Sequence, residues 1–334
     1  MGYNVAVVGT GAVGSTILQV MEERNFPVDN LKLLATSRSA GKVMTFKGKN
    51  YVIEETTPDS FENIDLALFA GGKASTMFAK EAVKRGAVVI DNGSSFRMDP
   101  EVPLVVPEVN PEDIKKHKGI IANPNCSTIQ MVVGLKPIYD ISRIKSVVVS
   151  TYQAVSGAGQ EAMDELENQT RDLLENREPK VQVFQHQIGM NLIPHIDVFW
   201  DNGYTKEEMK MVNETRKILH DEDMRITATT VRVPIMRSHS ESVLAITEKK
   251  IGAQEAKDAF DSFEGIILQD DPENNVYPMP YFTSDTDEVY IGRVREDLAF
   301  ENGLSFFVVA DQLRKGAATN AVQIAEQLIA YNML

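Results

Sequence analysis

The chain has 334 residues, of which 43% are hydrophobic and 25% charged, and its formal net charge at pH 7 is -14. This composition is typical of a globular protein large enough for two domains, and the negative charge argues against a nucleic-acid partner, because it repels phosphate backbones. Cys126 is the only cysteine, which excludes an internal disulfide and is typical of a reducing compartment. No apolar run approaches the roughly 20 residues that cross a bilayer, and a strand pattern begins at Tyr3. We therefore expect a cytoplasmic protein with no targeting segment and no membrane partner.

The first third of the chain alternates short β-branched runs with helical patterns. Strands are predicted at YNVAVVG, LKLLAT, DLALFAG, AVVIDN and PLVVPEV, and helices at AVGSTILQVMEER and STMFAKEAVKRG. Alternating strands and helices imply a parallel, doubly wound sheet. Ligands of such sheets bind beyond the carboxyl ends of the strands.

The pattern changes after the helix that is predicted to start near Cys126. Five longer runs alternate apolar with polar residues, as in a largely antiparallel sheet with one buried face, namely SVVVSTYQAV, RITATTVRVPI, SESVLAITEKK, EVYIGRVRED and LSFFVVADQL. Helical patterns follow at QEAMDELENQTRDLLE, KEEMKMVNETRKILH, AQEAKDAFDSF and AATNAVQIAEQLIAYNML, with loops predicted at residues 174–180 and NNVYPMPYFTSDTDE. The predicted fold class is therefore α/β, a Rossmann-type dinucleotide-binding domain followed by an α+β domain with a largely antiparallel sheet.

A glycine-rich turn stands between the first strand and the first helix. Its residues satisfy G-x-G-x-x-G and are Gly9, Thr10, Gly11, Ala12, Val13 and Gly14. In this context the first glycine allows the tight turn, the second admits a pyrophosphate, and the third lets the helix pack against the sheet. The alternative is a tight turn without a ligand, but the strand and helix around it favour nucleotide binding.

The loop after the second strand indicates which nucleotide. NAD-binding domains usually carry an acidic residue there, whereas this chain has Thr36, Ser37, Arg38 and Ser39. A guanidinium and hydroxyls suit a 2′-phosphate, which a carboxylate would repel. The loop therefore favours NADP(H) as the cofactor, with a solvated polar loop as the alternative.

Cys126 follows an Asn-Pro-Asn turn and precedes an apolar helical run. A helix N-terminus stabilises a thiolate, and its N–H groups can also stabilise an oxyanion. A lone cysteine is more often an inert core residue. Beside a dinucleotide fold, however, a thiol nucleophile suggests capture of an aldehyde as a thiohemiacetal, which becomes a thioester on loss of hydride.

Such a cycle needs a general base, usually histidine. His117 and His220 are expected to be solvated. The remaining candidates are His186, His195 and His239, and spacing alone does not choose among them. His239 opens a predicted strand near two arginines, which would favour its neutral form.

At this point the chain resembles the aspartate-β-semialdehyde dehydrogenase family. The most specific matches are NPNCST and RVPIMRSHS, supported by STYQAVSGAG, EEMKMVNETRKI, SSFRM, TSRSAGK and KGAATNAVQIAEQL. The resemblance runs from end to end and implies NADPH-dependent reduction of β-aspartyl phosphate to aspartate semialdehyde and phosphate, a step toward lysine, methionine and threonine. It also implies an NADP-binding domain at 1–126 and 316–334, a catalytic and dimerisation domain at 127–315, and a homodimer or tetramer.

The resemblance further implies the role of each site residue. Cys126 would be the nucleophile, His239 the acid–base group, and Gln153 a residue that positions the substrate. Arg232 would bind the α-carboxylate, and Glu207 the α-amino group. The phosphate would be held by Arg97 and Lys210, with Asn125 nearby. Other cofactor contacts would come from Ser75, Ser156, Gly157 and, at the nicotinamide, Asn320.

Two positions depart from the family pattern. Lys73 stands where serine is common and Asp285 where glycine is frequent. Without the resemblance, Glu207 and Lys210 would be read as a solvated ion pair, and Arg97 as a surface residue.

The rival functions are N-acetylglutamyl-phosphate reductase, whose substrate lacks a free ammonium, glyceraldehyde-phosphate dehydrogenase, a dinucleotide-sensing regulator, and a cysteine hydrolase.

Overall fold

The computed structural model describes residues 2–334, which divide into two compact units. The first contains the chain up to Asn125 together with Gly316–Leu334, and the second is Cys126–Lys315. The strands are β1 (Tyr3–Val8), β2 (Val28–Ala35), β3 (Val43–Phe46), β4 (Lys49–Glu55), β5 (Leu66–Phe69), β6 (Val88–Asp91), β7 (Ile120–Ala122), β8 (Ile144–Gln153), β9 (Arg225–Arg232), β10 (His239–Thr247), β11 (Ile266–Leu268), β12 (Val289–Glu296) and β13 (Gly303–Ala310). The α-helices are α1 (Ala12–Glu23), α2 (Lys73–Lys84), α3 (Cys126–Ile141), α4 (Gln160–Leu174), α5 (Lys206–Leu219), α6 (Ala253–Asp261), α7 (Pro280–Thr283) and α8 (Thr319–Ala330).

The first unit is built on a seven-stranded sheet in the order β3-β4-β2-β1-β5-β6-β7. All neighbours are parallel except β3 and β4, which form an antiparallel hairpin at one edge. Apolar residues of α1 and α8 pack on the central strands in one buried core, which includes Val5, Leu33, Ile17 and Leu328. The strand order and the covering helices confirm the predicted parallel, Rossmann-type sheet.

The second unit contains a six-stranded sheet in the order β11-β12-β13-β10-β8-β9. Three of its five pairings are antiparallel (β12 with β13, β13 with β10, and β10 with β8), and the two edge strands pair in parallel. The prediction of a largely antiparallel sheet is therefore confirmed. Along β10, every residue at an odd position from His239 to Thr247 is buried, as expected of a sheet face that is covered by other elements.

One predicted strand, PLVVPEV, is wrong. Only Leu104 makes a strand-like bridge, a parallel one to Ala122. The chain then turns, because the N–H groups of Val109 and Asn110 both donate to the carbonyl of Val106, at 2.8 and 3.0 Å. Pro103 and Pro107 have no N–H to offer a sheet ladder, and this is the physical reason for the difference.

The predicted loop NNVYPMPYFTSDTDE is also partly wrong, because α7 forms within it. Two elements had not been predicted at the first unit's edges, namely the β3–β4 hairpin and the three-residue strand β7. Within residues 2–334 the apolar helices fall short of what a membrane crossing needs.

Candidate active site

Cys126 is the first residue of α3, and its half-buried side chain is in no disulfide. The prediction that a helix starts here is confirmed. At this position the sulfur lies at the positive end of the helix dipole, where first-turn N–H groups point outward. Electrostatic attraction also couples Cys126 to Arg232. A helix terminus and a guanidinium both favour the thiolate over the thiol.

Three candidate side chains converge at one end of the second unit's sheet. Gln153 is the last residue of β8, Arg232 is the last of β9, and His239 is the first of β10. β8 lies between the other two strands, and its register pairs Gln153 with Arg232 and Tyr152 with Ser240. All three side chains are buried. Strand pairing thus brings together residues that are up to 86 positions apart in the sequence.

The peptide groups of Ala154 tie His239 and Arg232 in place. The Ala154 N–H donates to His239 Nδ1 at 3.0 Å, and Arg232 Nη1 donates to the Ala154 carbonyl at 2.6 Å. A nitrogen that accepts from a backbone N–H carries no proton, so the neutral imidazole holds its proton on Nε2. Nε2 is buried and has no hydrogen-bond partner among residues 2–334, so it can donate to a substrate.

The charges in this cluster oppose protonation of the imidazole. Burial lowers the pKa of His239 to about 3, with a further lowering by Arg232 and an opposing contribution from Glu207. Burial also lowers the pKa of Arg232, against the attraction of Glu207 and Cys126. The neutral form of His239 that the sequence predicted is therefore the form that this environment favours.

Gly157 marks the point where Arg232 and His239 meet. A Cβ built on it would lie 3.3 Å from Arg232 Nη1 and 3.3 Å from both Cε1 and Nε2 of His239. Gly157 lies in the short 3-10 turn Val155–Ala158, in which the buried Ser156 hydroxyl accepts a hydrogen bond from Gln312 Nε2. Only a residue without a side chain leaves this space open.

A chain of polar side chains continues from Gln153 to α5. Gln153 Nε2 donates to Glu207 at 3.2 Å, and Lys210 Nζ bridges Glu207 at 2.9 Å and Asp197 at 3.0 Å. Burial alone would lower the pKa of Lys210, but the two carboxylates outweigh it and the pKa is raised. Glu207 is buried, so the alternative of a solvated ion pair is wrong for its carboxylate.

The glycine-rich turn lies in the first unit, between β1 and α1. Gly9 has a φ of 96°, which L side chains rarely adopt, and a Cβ on Gly14 would lie 1.8 Å from the Gly9 carbonyl oxygen. A Cβ on Gly11, at the start of the helix, would meet nothing within 4 Å. Thr10, Ala12 and Val13 complete the turn. Open space at a helix N-terminus fits a pyrophosphate, so the residues present suit a dinucleotide.

Residues 36–39, which include Arg38, form a polar segment beyond β2, and residues 36–38 are exposed. Lys73 is the first residue of α2. Two residues further on, Ser75 is fully buried and donates to Asp91 Oδ1 at 2.5 Å. The predicted cofactor residues therefore differ in access, with Arg38 open to solvent and the Ser75 hydroxyl engaged inside the unit.

Arg97, Asn125 and Asn320 also belong to the first unit, and all three are buried. Arg97 is not a surface residue, because its guanidinium donates to the carbonyls of Asn123 and Asn92 at 2.9 and 2.7 Å. The Asn320 amide donates to the Val105 carbonyl at 3.0 Å and to Asn123 Oδ1 at 2.6 Å. These bonds hold α8 against the loops that precede α3.

The other histidines are less suited to catalysis. His186 and His220 are exposed, and His195 is half-buried against the ring of Phe199. His117 was expected to be solvated, but it is half-buried, its Nδ1 accepts from the Gly119 N–H at 3.0 Å, and burial lowers its pKa. Burial and the contacts with Ala154 and Gly157 single out His239.

Sequence reasoning missed several residues that support the site. Ala154 acts through its main chain, which no side-chain pattern reveals. Thr151, whose hydroxyl donates to Gln153 Oε1 at 3.0 Å, could have been found, because residues two apart on a strand share a face. Asp285, where glycine is frequent in the family pattern, has a φ of 66° and pairs with Arg237 at 2.6 Å. A left-handed backbone accounts for glycine at that position.

Comparison with known families assigns both units. The semialdehyde dehydrogenase NAD-binding domain matches residues 4–117, and the semialdehyde dehydrogenase dimerisation domain matches residues 135–315. A curated relative, the aspartate-semialdehyde dehydrogenase of Aquifex aeolicus, is 61% identical over 98% of each chain. The match therefore extends across both units.

Solved structures agree with the sequence match. Aspartate semialdehyde dehydrogenase II from Vibrio cholerae superposes with a TM-score of 0.96 at 49% identity over 99% of each chain. A second structure of that protein, complexed with ASA, superposes with the same TM-score at 48% identity. The chain therefore belongs to the aspartate-semialdehyde dehydrogenase family, a family of oxidoreductases.

Proposed function

We propose that the chain reduces β-aspartyl phosphate to aspartate β-semialdehyde and phosphate, reversibly and with NADPH, through a thioacyl intermediate on Cys126. The observation that carries the proposal is the cluster in the second unit, in which Arg232 and His239 meet at Gly157 while the charge of Cys126 acts on Arg232. Relatives named for aspartate semialdehyde, one of them 61% identical, support this substrate, and we propose that the reaction serves lysine, methionine and threonine biosynthesis.

The Cys126 thiolate attacks the acyl carbon of the substrate, and the C–O bond to phosphate breaks to leave a thioester. First-turn N–H groups of α3 can stabilise the oxyanion of each tetrahedral intermediate. NADPH, when bound, supplies the hydride that reduces this thioester. The sulfur then departs as a thiolate, which the helix dipole and Arg232 stabilise. Covalent catalysis thereby divides one difficult displacement into two easier steps.

His239 has the acid–base role in this proposal, and its geometry defines how. The neutral ring carries its proton on Nε2, because Nδ1 accepts from Ala154, and Nε2 can donate to the oxygen that develops charge. Full protonation requires a higher pKa, which the negative charges of the substrate provide. It also requires the imidazole to give up the Ala154 contact, because both nitrogens of an imidazolium are donors.

The substrate carries a carboxylate, an ammonium and a phosphate, and the candidate residues match these charges. Arg232 presents a planar guanidinium that can bind the α-carboxylate with two hydrogen bonds. Glu207, which also accepts from Gln153, offers the carboxylate for the ammonium. Lys210 and Arg97 supply positive charge for the phosphate. Gln153 and Asn125 complete the proposed polar surroundings.

We propose NADP(H) rather than NAD(H) as the cofactor of the first unit. The glycine turn would hold the pyrophosphate, and Arg38 with its neighbouring hydroxyls would hold the 2′-phosphate. We also propose Ser156 and Gly157 as cofactor contacts. Asn320 would approach the nicotinamide, which requires an exchange of its present hydrogen bonds.

The proposed domain roles agree with the two units except at Cys126, which belongs to the second unit. We propose that residues 1–126 and 316–334 bind the cofactor, and that residues 127–315 carry catalysis and homodimer formation, in agreement with the dimerisation-domain match. The outer face of the second unit's sheet exposes apolar side chains such as Tyr152 and Val148, which a partner subunit could cover. Sedimentation analysis would test the dimer against a tetramer.

The deciding experiment is the reverse reaction, NADP reduction by aspartate semialdehyde with and without phosphate or arsenate. We expect continued turnover only when one of the two anions is present, with at most one equivalent of NADP reduced without them, and no reduction in Cys126→Ala, which should still bind NADPH. Anion-independent turnover, or activity in the variant, would contradict the thioacyl mechanism. N-acetylglutamate semialdehyde serves as a second substrate, and Glu207→Gln should lose preference for the substrate that carries a free ammonium.

A further inference from the structure

Glu241 is a fully buried acid that the proposed reaction does not use. It lies on β10, two residues after His239, and pairs in register with Thr151 of β8 and Val308 of β13. No cation in residues 2–334 pairs with either carboxyl oxygen, and the polar side chain that interacts with the carboxyl group is that of Gln130. An ionised carboxylate at such a place would be uncompensated, which is among the most costly arrangements in a protein interior.

The environment therefore favours the neutral acid. Burial raises the pKa of Glu241 well above its usual value of 4.5, and the neighbouring Gln130 amide opposes the rise. A neutral carboxylic acid differs from a carboxylate in one important respect, because its O–H is a hydrogen-bond donor. A buried donor of this kind needs an acceptor nearby.

Gln130 supplies that acceptor. It is fully buried on α3, four residues after Cys126 and therefore on the same helix face. Its Nε2 donates to the main-chain carbonyl of His239 at 3.3 Å, whereas its Oε1 has no partner among the described residues. The side chains of Gln130 and Glu241 interact, and the Gln130 amide oxygen can accept a hydrogen bond from Glu241 only if the acid is protonated.

We propose that Glu241 is a positioning residue that stays protonated at neutral pH and donates its O–H to Gln130 Oε1. Gln130 in turn holds the His239 carbonyl, so that this relay fixes the helix that carries Cys126 relative to the strand that carries His239. The inference rests on the proposed roles of Cys126 and His239, but the protonation of Glu241 does not.

Infrared spectroscopy tests the protonation without reference to activity. At neutral pH the wild-type protein should show the carbonyl stretch of a protonated carboxylic acid, and Glu241→Gln should lack it. Glu207→Gln is the matched control and should keep the band. Absence of the band from the wild type, or its survival in Glu241→Gln, would overturn the proposal. Failure of the substrate assay would refute the proposed function and leave this measurement unaffected.

Kinetics test the relay. Glu241→Gln retains a donor for Gln130 Oε1, so its kcat should stay within about threefold of wild type. Glu241→Met has a similar length but no donor, and we expect kcat to fall about tenfold while KM stays within about twofold. The double variant Glu241→Met with Gln130→Met should be no slower than Gln130→Met alone. Equal losses of kcat in Glu241→Gln and Glu241→Met, or additive losses of kcat in the double variant, would refute the relay. Thermal unfolding of each variant would establish that it is folded.

Discussion

Gly157→Ala tests whether the open space at Gly157 sets the distance between Arg232 and His239. The added methyl would lie 3.3 Å from Arg232 Nη1 and from two ring atoms of His239. This distance is slightly shorter than the 3.4 to 4 Å of ordinary van der Waals contact. Gly157 is not among the residues with a positive φ, so alanine should adopt its backbone conformation without strain. The variant should therefore fold normally and disturb only the two side chains.

The expected effect follows from the size of the displacement. Each neighbour has to move by a few tenths of an ångström, and because a misplacement of about 1 Å can cost roughly 100-fold, we expect kcat/KM to fall about tenfold. The assay is NADP reduction by aspartate semialdehyde in phosphate buffer. The Tm should stay within about 2 °C of wild type, since a single small displacement costs less than about 1 kcal/mol.

Gly252→Ala is the matched control, because a Cβ there would meet nothing within 4 Å and its φ is -73°. Its kcat/KM should equal that of wild type. If Gly157→Ala also kept full kcat/KM, the two side chains would not depend on this spacing. Gly157 is also a proposed cofactor contact, so the affinity for NADP(H) is measured separately by calorimetry. If the fall in affinity accounted for the whole loss of kcat/KM, the spacing of Arg232 and His239 would not be the cause and our reasoning on this pair would be wrong.

Four further outcomes can be measured with single variants. Arg232→Lys keeps the charge but loses the planar fork and its bond to Ala154, so kcat/KM should fall about 100-fold; a loss below fivefold would contradict the carboxylate role. Arg38→Ala should raise the KM for NADP by roughly 10-fold to 100-fold and leave the KM for NAD unchanged, and an equal change in both would remove the 2′-phosphate assignment. Burial lowers the pKa of His239 to about 3, so between pH 6.5 and 3 the unfolded chain binds more protons than the folded one. The free energy of unfolding should therefore fall by roughly 5 kcal/mol as the pH drops through that window. Urea titrations should show a weaker pH dependence in His239→Gln, and identical curves for the variant and wild type would contradict the burial argument. Thr205→Ala removes the capping box in which Thr205 and Glu208 exchange hydrogen bonds, and should cost about 1 kcal/mol without changing kcat; a loss of kcat would show that the cap also supports Glu207.

Strong local patterns accounted for most of the fold. Periodicity and end signals identified α1, the helix that begins at Cys126, and β10, which begins at His239. The β3–β4 hairpin was not identified, because its turn is formed by Lys47 and Gly48, both with positive φ, where Asn-Gly or Asp-Gly is the usual signal. The run at 103–109 was misjudged because β-branched residues outweighed two prolines in the prediction.

The charges of the site could be anticipated better than their surroundings. The spacing of Glu207 and Lys210 correctly indicated a shared helix face. The burial of Glu207 and the second ion pair of Lys210, with Asp197, depend on residues outside α5 and could not be inferred from that spacing. Ala154 contributes through its peptide N–H and carbonyl groups. Their directions depend on the path of the backbone, which side-chain chemistry does not encode. Nor does a sequence reveal that Glu241 is fully buried with no cation paired to it in the part of the chain that the structure describes.

The convergence of the candidate catalytic residues is a property of strand order. Gln153 and Arg232 end parallel neighbours, so their carboxyl ends lie side by side, while His239 begins a strand that runs antiparallel to β8. The amino end of β10 therefore meets the carboxyl ends of β8 and β9 at the same edge. If β9 were paired to any other strand, Arg232 would leave this edge although its own sequence were unchanged. The pairing energy of the sheet is thus part of what positions the reacting groups, and a variant that weakens the pairing between β8 and β9 should reduce kcat/KM before it unfolds the protein.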